Sequence, residues 1–424
     1  MENIIKIRKI NEKQEPVVGK YFLLIAIALI TLGVCSDSPK NIIDGFYQII
    51  IQSDALITDY LAVGGLGATF INAGLIMLIN FLVMRKIKLK INGFFIAGML
   101  VTTGFAFFGN NILNVIPIYL GGYLYAKYQE EPFSRVYVVT IFATSLSPLV
   151  TEAYYMFDLA DITKLIISIL VGVGVGFIMP VLSSHMLKFH DGYNIYNVGL
   201  TAGIIGTVII AIVRGYGYDI TSRQVLSTEY DSILKLVSVV FFISLIYVGY
   251  KLNGKTFKGY RDLMHYSGRL VTDFVFLTGL GLTLINMGIM GLIGTVYVMM
   301  MGGVFNGPVM AGLFTLCGFS AFGNHPKNSI PVMIGVFIAA LTKVWQMNSV
   351  GMVITGLFST TLAPIAGVHG ALIGVVAGFI HTSVVMNVGS VHGGINLYNN
   401  GFAGGIVASV LVPMIDAFKK ENRK

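Results

Sequence analysis

GFAFFGNNILNVIP, from Gly104 to Pro117, returns 214 residues later as GFSAFGNHPKNSIP, from Gly318 to Pro331. The copy belongs to a longer one. With no gap, Asp59–Gly121 falls on Asp273–Gly335 with 23 of 63 residues identical, including Gly65-Leu66-Gly67 on Gly279-Leu280-Gly281. A second block recurs at an offset of 202, His190–Asn197 against His392–Asn399. Many transporters and channels are built from a duplicated apolar half. The chain is therefore read as repeat 1 (20–230) and repeat 2 (231–418) between a tail at 1–19 and another at 419–424.

Mean hydropathy is +0.80 and only 11% of the residues are charged, which excludes an ordinary soluble globule. Leu277–Phe305 and Gln346–Ile380 carry no charge and exceed the ~18 apolar residues of a bilayer-spanning helix. Spans are expected near 20–36, 60–84, 92–109, 112–127, 136–156, 162–187 and 195–214. Their counterparts fall near 231–251, 274–298, 306–323, 328–345, 349–366, 369–388 and 398–417. The fold expected is an all-α polytopic membrane protein of about 12–14 segments, five to seven per repeat, some of them broken or re-entrant.

The net charge of +8 is not a nucleic-acid signal. The cations cluster in Lys6–Lys20, Arg85–Lys90, Lys251–Arg269 and Lys419–Lys424, as in loops facing anionic lipid. Arg85–Lys90 maps onto the uncharged Met299–Val304, and the basic linker after 231–251 maps onto Ser36–Thr58, which holds one lysine. Each basic loop thus has a poorly charged twin, so the positive-inside rule orients the repeats oppositely. The alternative is an accidental pattern with parallel halves. The expectation is a multi-pass protein of a bacterial inner membrane with both ends cytoplasmic, its partners being the lipid bilayer and a small polar solute. A homo-oligomer is also open. Cys35 and Cys317 give no disulfide framework, no metal spacing is readable, and no phosphate-cradling glycine loop occurs. No cofactor is expected.

Polar residues duplicated at depth are the candidate solute contacts: Asn110, Asn111 and Asn114 with Asn324, His325 and Asn328. An amide both donates and accepts, which suits a polar ligand. The helices resuming near Ile112 and Lys327 would aim unpaired N–H groups at the breaks, and the two breaks are expected to meet near the bilayer midplane. Read plainly, each is a tight turn between spans. Asn194, Asn197, Asn396 and Asn399 are further candidates, beside glycines suited to close helix packing. Thr69 with Asn72 and Thr283 with Asn286 share a helical face and either line the path or join helices. Glu152, His369 and His381 are the ionisable groups at depth, and a proton relay is not favoured.

The stretches at 322–331 and 397–405 resemble a family of bacterial integral membrane proteins with two tandem copies of a domain of unknown function. That resemblance covers nearly the whole chain and implies no activity. Asn324-His325-Pro326 followed by Leu397-Tyr398-Asn399-Asn400-Gly401 is also similar to the order of motifs in urea transporters, although Asn110-Asn111 is followed by Ile112 and lacks the proline. The function expected is a permease or channel for a small polar solute between inverted repeats, not an enzyme. The alternative is a membrane-embedded enzyme for a lipid-like substrate, for which only His185, His190 and Asp191 come close together.

Overall fold

The computed structural model describes residues 2–53, 56–218, 220 and 223–418, so the closing tail lies outside the described residues. Repeat 1 follows α1 (Glu2–Ser36) with α2 (Pro39–Ile51), α3 (Tyr60–Lys86), α4 (Gly93–Phe105), α5 (Ile112–Tyr128), α6 (Tyr137–Ala143), α7 (Ser147–Tyr155), α8 (Asp161–Phe189) and α9 (Asn197–Gly215). Repeat 2 comprises α10 (Asp231–Leu252), α11 (Tyr260–Leu263), α12 (Phe274–Thr278), α13 (Leu280–Met300), α14 (Gly307–Phe319), α15 (Pro326–Thr342), α16 (Val350–Phe358), α17 (Ala363–His369), α18 (Ala371–Val388) and α19 (Asn399–Phe418). Every expected span coincides with helix. The first is longer than expected, because α1 runs from Glu2 through the stretch read as a tail. The linker after it, read as a loop, holds α2 and a short strand β1 (Leu56–Thr58), which pairs in parallel with β2 (Arg223–Val225).

The chain is a multi-pass membrane protein: among the described residues, nine helices are long and apolar enough to cross a bilayer. One of them counts α16 and α17 as a single passage, Val350–His369. Its twin, α6 with α7, is broken at the same place. Leu146-Ser147-Pro148 and Leu362-Ala363-Pro364 each put a proline at the start of the second piece, after a 3₁₀ turn at Thr144–Leu146 or Ser359–Leu362. Proline lacks the N–H that would continue the helix, so the passage breaks there. The span headed by Tyr60 and its twin are interrupted at Gly65 (φ 73°) and Gly279 (φ 92°), a backbone that favours glycine.

Helix starts are capped in duplicate as well. Asn92 accepts from Phe95 N–H and Asn306 from Val309 N–H, while Asp59 accepts from Leu61 and Asp273 from Phe276.

α4 and α5 form a hairpin whose tip, 106–111, is bonded both to the start of α3, by Tyr60 N–H to Phe107 O, and to its interior, by Asn72; α14 and α15 repeat it. With the hairpins re-entrant, each repeat passes through the bundle five times, an odd number. The central pair, α4 and α14, proves the inversion. A β-carbon on Gly104 would lie 2.9 Å from Ala311 Cα, and one on Gly318 would lie 3.1 Å from Ala97 Cα. The start of each helix thus packs on the end of the other, so the two are antiparallel about a two-fold perpendicular to their axes.

α9 and α19 cross in the same reciprocal way at Gly199 and Gly401, where a β-carbon on either would approach the other's Cα within 3.0 Å. Two side chains lock the crossing: Asn194 Nδ2 donates to Gly401 O at 3.0 Å and Asn396 Nδ2 to Gly199 O at 3.3 Å.

Candidate functional site

Three interruptions converge in each half. They are the hairpin tip, the 3₁₀ turn inside the α6–α7 or α16–α17 passage, and the start of α9 or α19 from the opposite repeat. Asn110 Nδ2 donates to Thr144 Oγ1 at 3.0 Å, and Leu397 N–H donates to Ser145 O at 3.0 Å. The twin site repeats both bonds: Asn324 Nδ2 to Thr360 Oγ1 at 3.1 Å and Ile195 N–H to Thr361 O at 3.0 Å. Broken backbone deep in an apolar bundle must find internal partners, and here each break satisfies another.

Most of the candidate amides serve that purpose. Asn72 Nδ2 donates to Ala106 O and Asn110 O, and Asn286 Nδ2 to Ser320 O and Asn324 O, all at 2.7–2.9 Å. Thr69 and Thr283 bond their own helices at Gly65 O and Gly279 O. Asn111 and Asn114 form a capping box on α5, and His325 and Asn328 form its twin on α15. The N–H groups expected to point freely at the breaks are therefore already capped. Leucine at Asn72 or Asn286 keeps the volume but leaves two buried carbonyls without donors. At about 1–3 kcal/mol for each carbonyl left bare, each change is expected to lower stability by several kcal/mol, read as a drop in the thermal unfolding midpoint in detergent.

The breaks do not meet at a midplane, which corrects the expectation from sequence. Phe322 packs on Gly93 at the start of α4, whereas Phe108 follows the end of α4. At 1.5 Å per residue the 13 residues of that helix hold the tips on the order of 20 Å apart.

What lies between them is aromatic. Phe105, Phe142, Tyr196, Phe319, Phe358 and Tyr398 are all buried. They form one layer, with Tyr196 5.1 Å from Tyr398, Phe105 5.1 Å from Tyr398 and Phe319 4.2 Å from Tyr196, ring centre to ring centre. Phe142 and Phe358 each reach the Tyr398 ring, at 6.3 and 6.2 Å. Composition and polar motifs hide this layer. The duplication carries its signal, since Phe105 and Phe319, Phe142 and Phe358, and Tyr196 and Tyr398 are equivalent pairs.

A cavity abuts the layer from each side. The first, of about 610 Å³, is lined by Ile57, Phe108, Arg214, Phe358, Asn396 and Asn399 among others. The second, of about 520 Å³, is lined by Asn92, Arg135, Phe142, Asn197, Phe322 and Tyr398 among others. They are pseudo-symmetry mates: Phe108 matches Phe322, Phe358 matches Phe142, and Asn399 matches Asn197. The first opens where α3 begins and α9 ends. The second opens past the far end of α3, so the two face opposite ends of the bundle.

Of the candidate residues, Asn197, Asn396 and Asn399 reach these walls. Asn197 and Asn399 are held by His190 and His392, each at 2.9 Å. Asn194 is buried between Gly401 O and the Thr361 hydroxyl. His185 and Asp191 are exposed while His190 is buried.

One difference between the halves falls beside Asn110 and Asn324. Ser147 Oγ donates to Asn110 Oδ1 at 2.7 Å, but Ala363 stands at the equivalent place. With no hydroxyl there, Asn324 Oδ1 is a buried acceptor that lacks the bond its twin makes. Such atoms cost about 1–3 kcal/mol each when left unmade.

No curated protein and no solved structure matches the chain, so its likeness to urea transporters rests on sequence motifs alone. A family match spans residues 38–215 and 252–417, one copy in each repeat, and by it the chain belongs to the family described as protein of unknown function (DUF1576).

Proposed function

We propose that the protein is a permease for a small uncharged polar solute, which crosses between the inverted repeats from one cavity to the other through the aromatic layer. The observation carrying this reading is the pair of equivalent cavities at opposite ends of the bundle, each reaching the aromatic layer. Rotations of the phenylalanine rings would move such a barrier without breaking a hydrogen bond, whereas Tyr196 is tied to Thr360 Oγ1 at 3.2 Å. Asn396 and Asn399 would meet the solute on one side and Asn197 on the other. The scarcity of charge in both walls (Arg214, and Arg135 with Asp273) favours a neutral solute. Arg85–Lys90 and Lys251–Arg269 share the face of the second cavity, which would make that face cytoplasmic.

The test is osmotic shrinkage of proteoliposomes under gradients of glycerol, urea, formamide and acetamide, followed by light scattering. Recovery of volume faster than in protein-free vesicles is expected for at least one probe, and a Tyr398→Trp variant should slow it. Equal recovery with and without protein for all four probes overturns the reading.

A further inference from the structure

His381 lies in the middle of α18, fully buried, and has no twin: Met179 occupies the equivalent position in α8. Its partner Asn400 is also unique to repeat 2, Val198 being the equivalent residue. His381 Nε2 is 3.0 Å from Asn400 Oδ1. An amide oxygen only accepts, so Nε2 carries the hydrogen and Nδ1 is a bare lone pair. Among the described residues, that Nδ1 is buried with no partner. Asn400 in turn lines the first cavity, so the imidazole stands one side chain behind the cavity wall.

A histidine pairing that serves only to brace the bundle would be expected in both repeats, as with His190–Asn197 and His392–Asn399. This one occurs in a single half, with Asn400 at the wall of the first cavity.

On the permease reading above, we propose that His381 is the proton-binding site of a proton-coupled carrier, loaded from the first cavity past Asn400. The bare Nδ1 lies on the side of the ring away from Asn400, so the ring must turn to bring it to the cavity, where it takes a proton from water and leaves hydroxide. The imidazolium then gives the proton up when the site is exposed to the other face.

No carboxylate faces the imidazole to fix a permanent charge there. On the elements packed against α18, Lys343 at the end of α15 bonds Phe379 O and Ser383 Oγ. Those residues are two positions either side of His381 and so lie on another helix face. His369 at the end of α17 stacks on Tyr193, and His392 lies in the loop before α19. Lys327 begins α15 at the hairpin tip, and Asp416 lies at the far end of α19. α16 and the 3₁₀ turn after it carry no titratable acid or base.

The full chain with ¹⁵N-labelled histidine, held in lipid nanodiscs, tests the site without any solute. Its spectrum is compared with that of His381→Met, which installs the residue of the equivalent position and should therefore fold. The resonance lost in the variant is expected to change from a neutral to a doubly protonated ring as the pH is lowered. A ring that stays neutral throughout overturns the proposal, whatever the protein carries.

A pH dye inside the proteoliposomes adds the coupling readout. Lumenal pH should move with whichever probe permeates, and His381→Met should abolish that movement while exchange of the probe continues. Permeation without proton movement overturns the coupling and leaves the permease reading standing. If no probe permeates, the permease reading falls, and with it the coupling. The nanodisc titration then decides the proton site alone.

Discussion

Alanine at Phe142 and Phe358 together is expected to raise probe permeation through proteoliposomes by roughly tenfold or more, the factor given by ~1.4 kcal/mol off a barrier. Phe358 lines the first cavity and Phe142 the second, and both reach Tyr398, so removing both rings thins the layer from either side. Each sits at the end of a helix broken by the following proline, where the loss of a ring removes packing without removing a hydrogen bond. Either single change should do much less, because the other ring still closes its side. Stopped-flow light scattering separates these cases. An unchanged rate in the double variant, with the protein folded, would mean that solute does not pass through this layer.

The second large effect is expected at two aspartates. Asp59 caps its own helix at Leu61, accepts from Ser227 N–H at 3.0 Å and also accepts from Gly307 N–H, the start of α14 in the other repeat. Asp273 mirrors it, accepting from Phe276 N–H and, at 3.0 Å, from Gly93 N–H at the start of α4. Alanine at either position strips several buried N–H groups of their acceptor at once. At about 1–3 kcal/mol for each group left bare, Asp59→Ala is expected to cost several kcal/mol and Asp273→Ala nearly as much. Thermal unfolding in detergent with size-exclusion recovery measures both. Asparagine keeps one acceptor oxygen and should restore much of the loss, whereas a merely electrostatic role would not be rescued that way.

The duplication made the fold legible. Because Gly65 and Gly279, Asn92 and Asn306, and Pro117 and Pro331 recur at one spacing, the two hairpins and their inverted order could be read from the chain alone. Charge placement added the orientation: Arg85–Lys90 and Lys251–Arg269 do lie at the same end of the bundle.

The candidate site was less legible, for a physical reason. Asparagine beside a broken helix has two uses, binding a ligand or closing an open carbonyl, and the residue type is the same for both. Asn72, Asn111, Asn114, Asn286 and Asn328 turned out to close the backbone. The aromatic layer was missed because phenylalanine and tyrosine in an apolar chain look like packing until their partners in the other half are known. Nor did spacing show that the two breaks sit a helix length apart, since that follows from the antiparallel overlap of α4 with α14.

That reciprocal clasp has a consequence for biogenesis. Repeat 1 enters the bilayer with the start of α4 awaiting Asp273 and with Asp59 lacking Gly307, neither of which has yet been synthesised. The first half is therefore an unfinished folding unit, held by lipid or by the insertion machinery until the ribosome has passed the middle of the second. An ancestral single repeat would have met the same need by pairing with a copy of itself inserted the other way up.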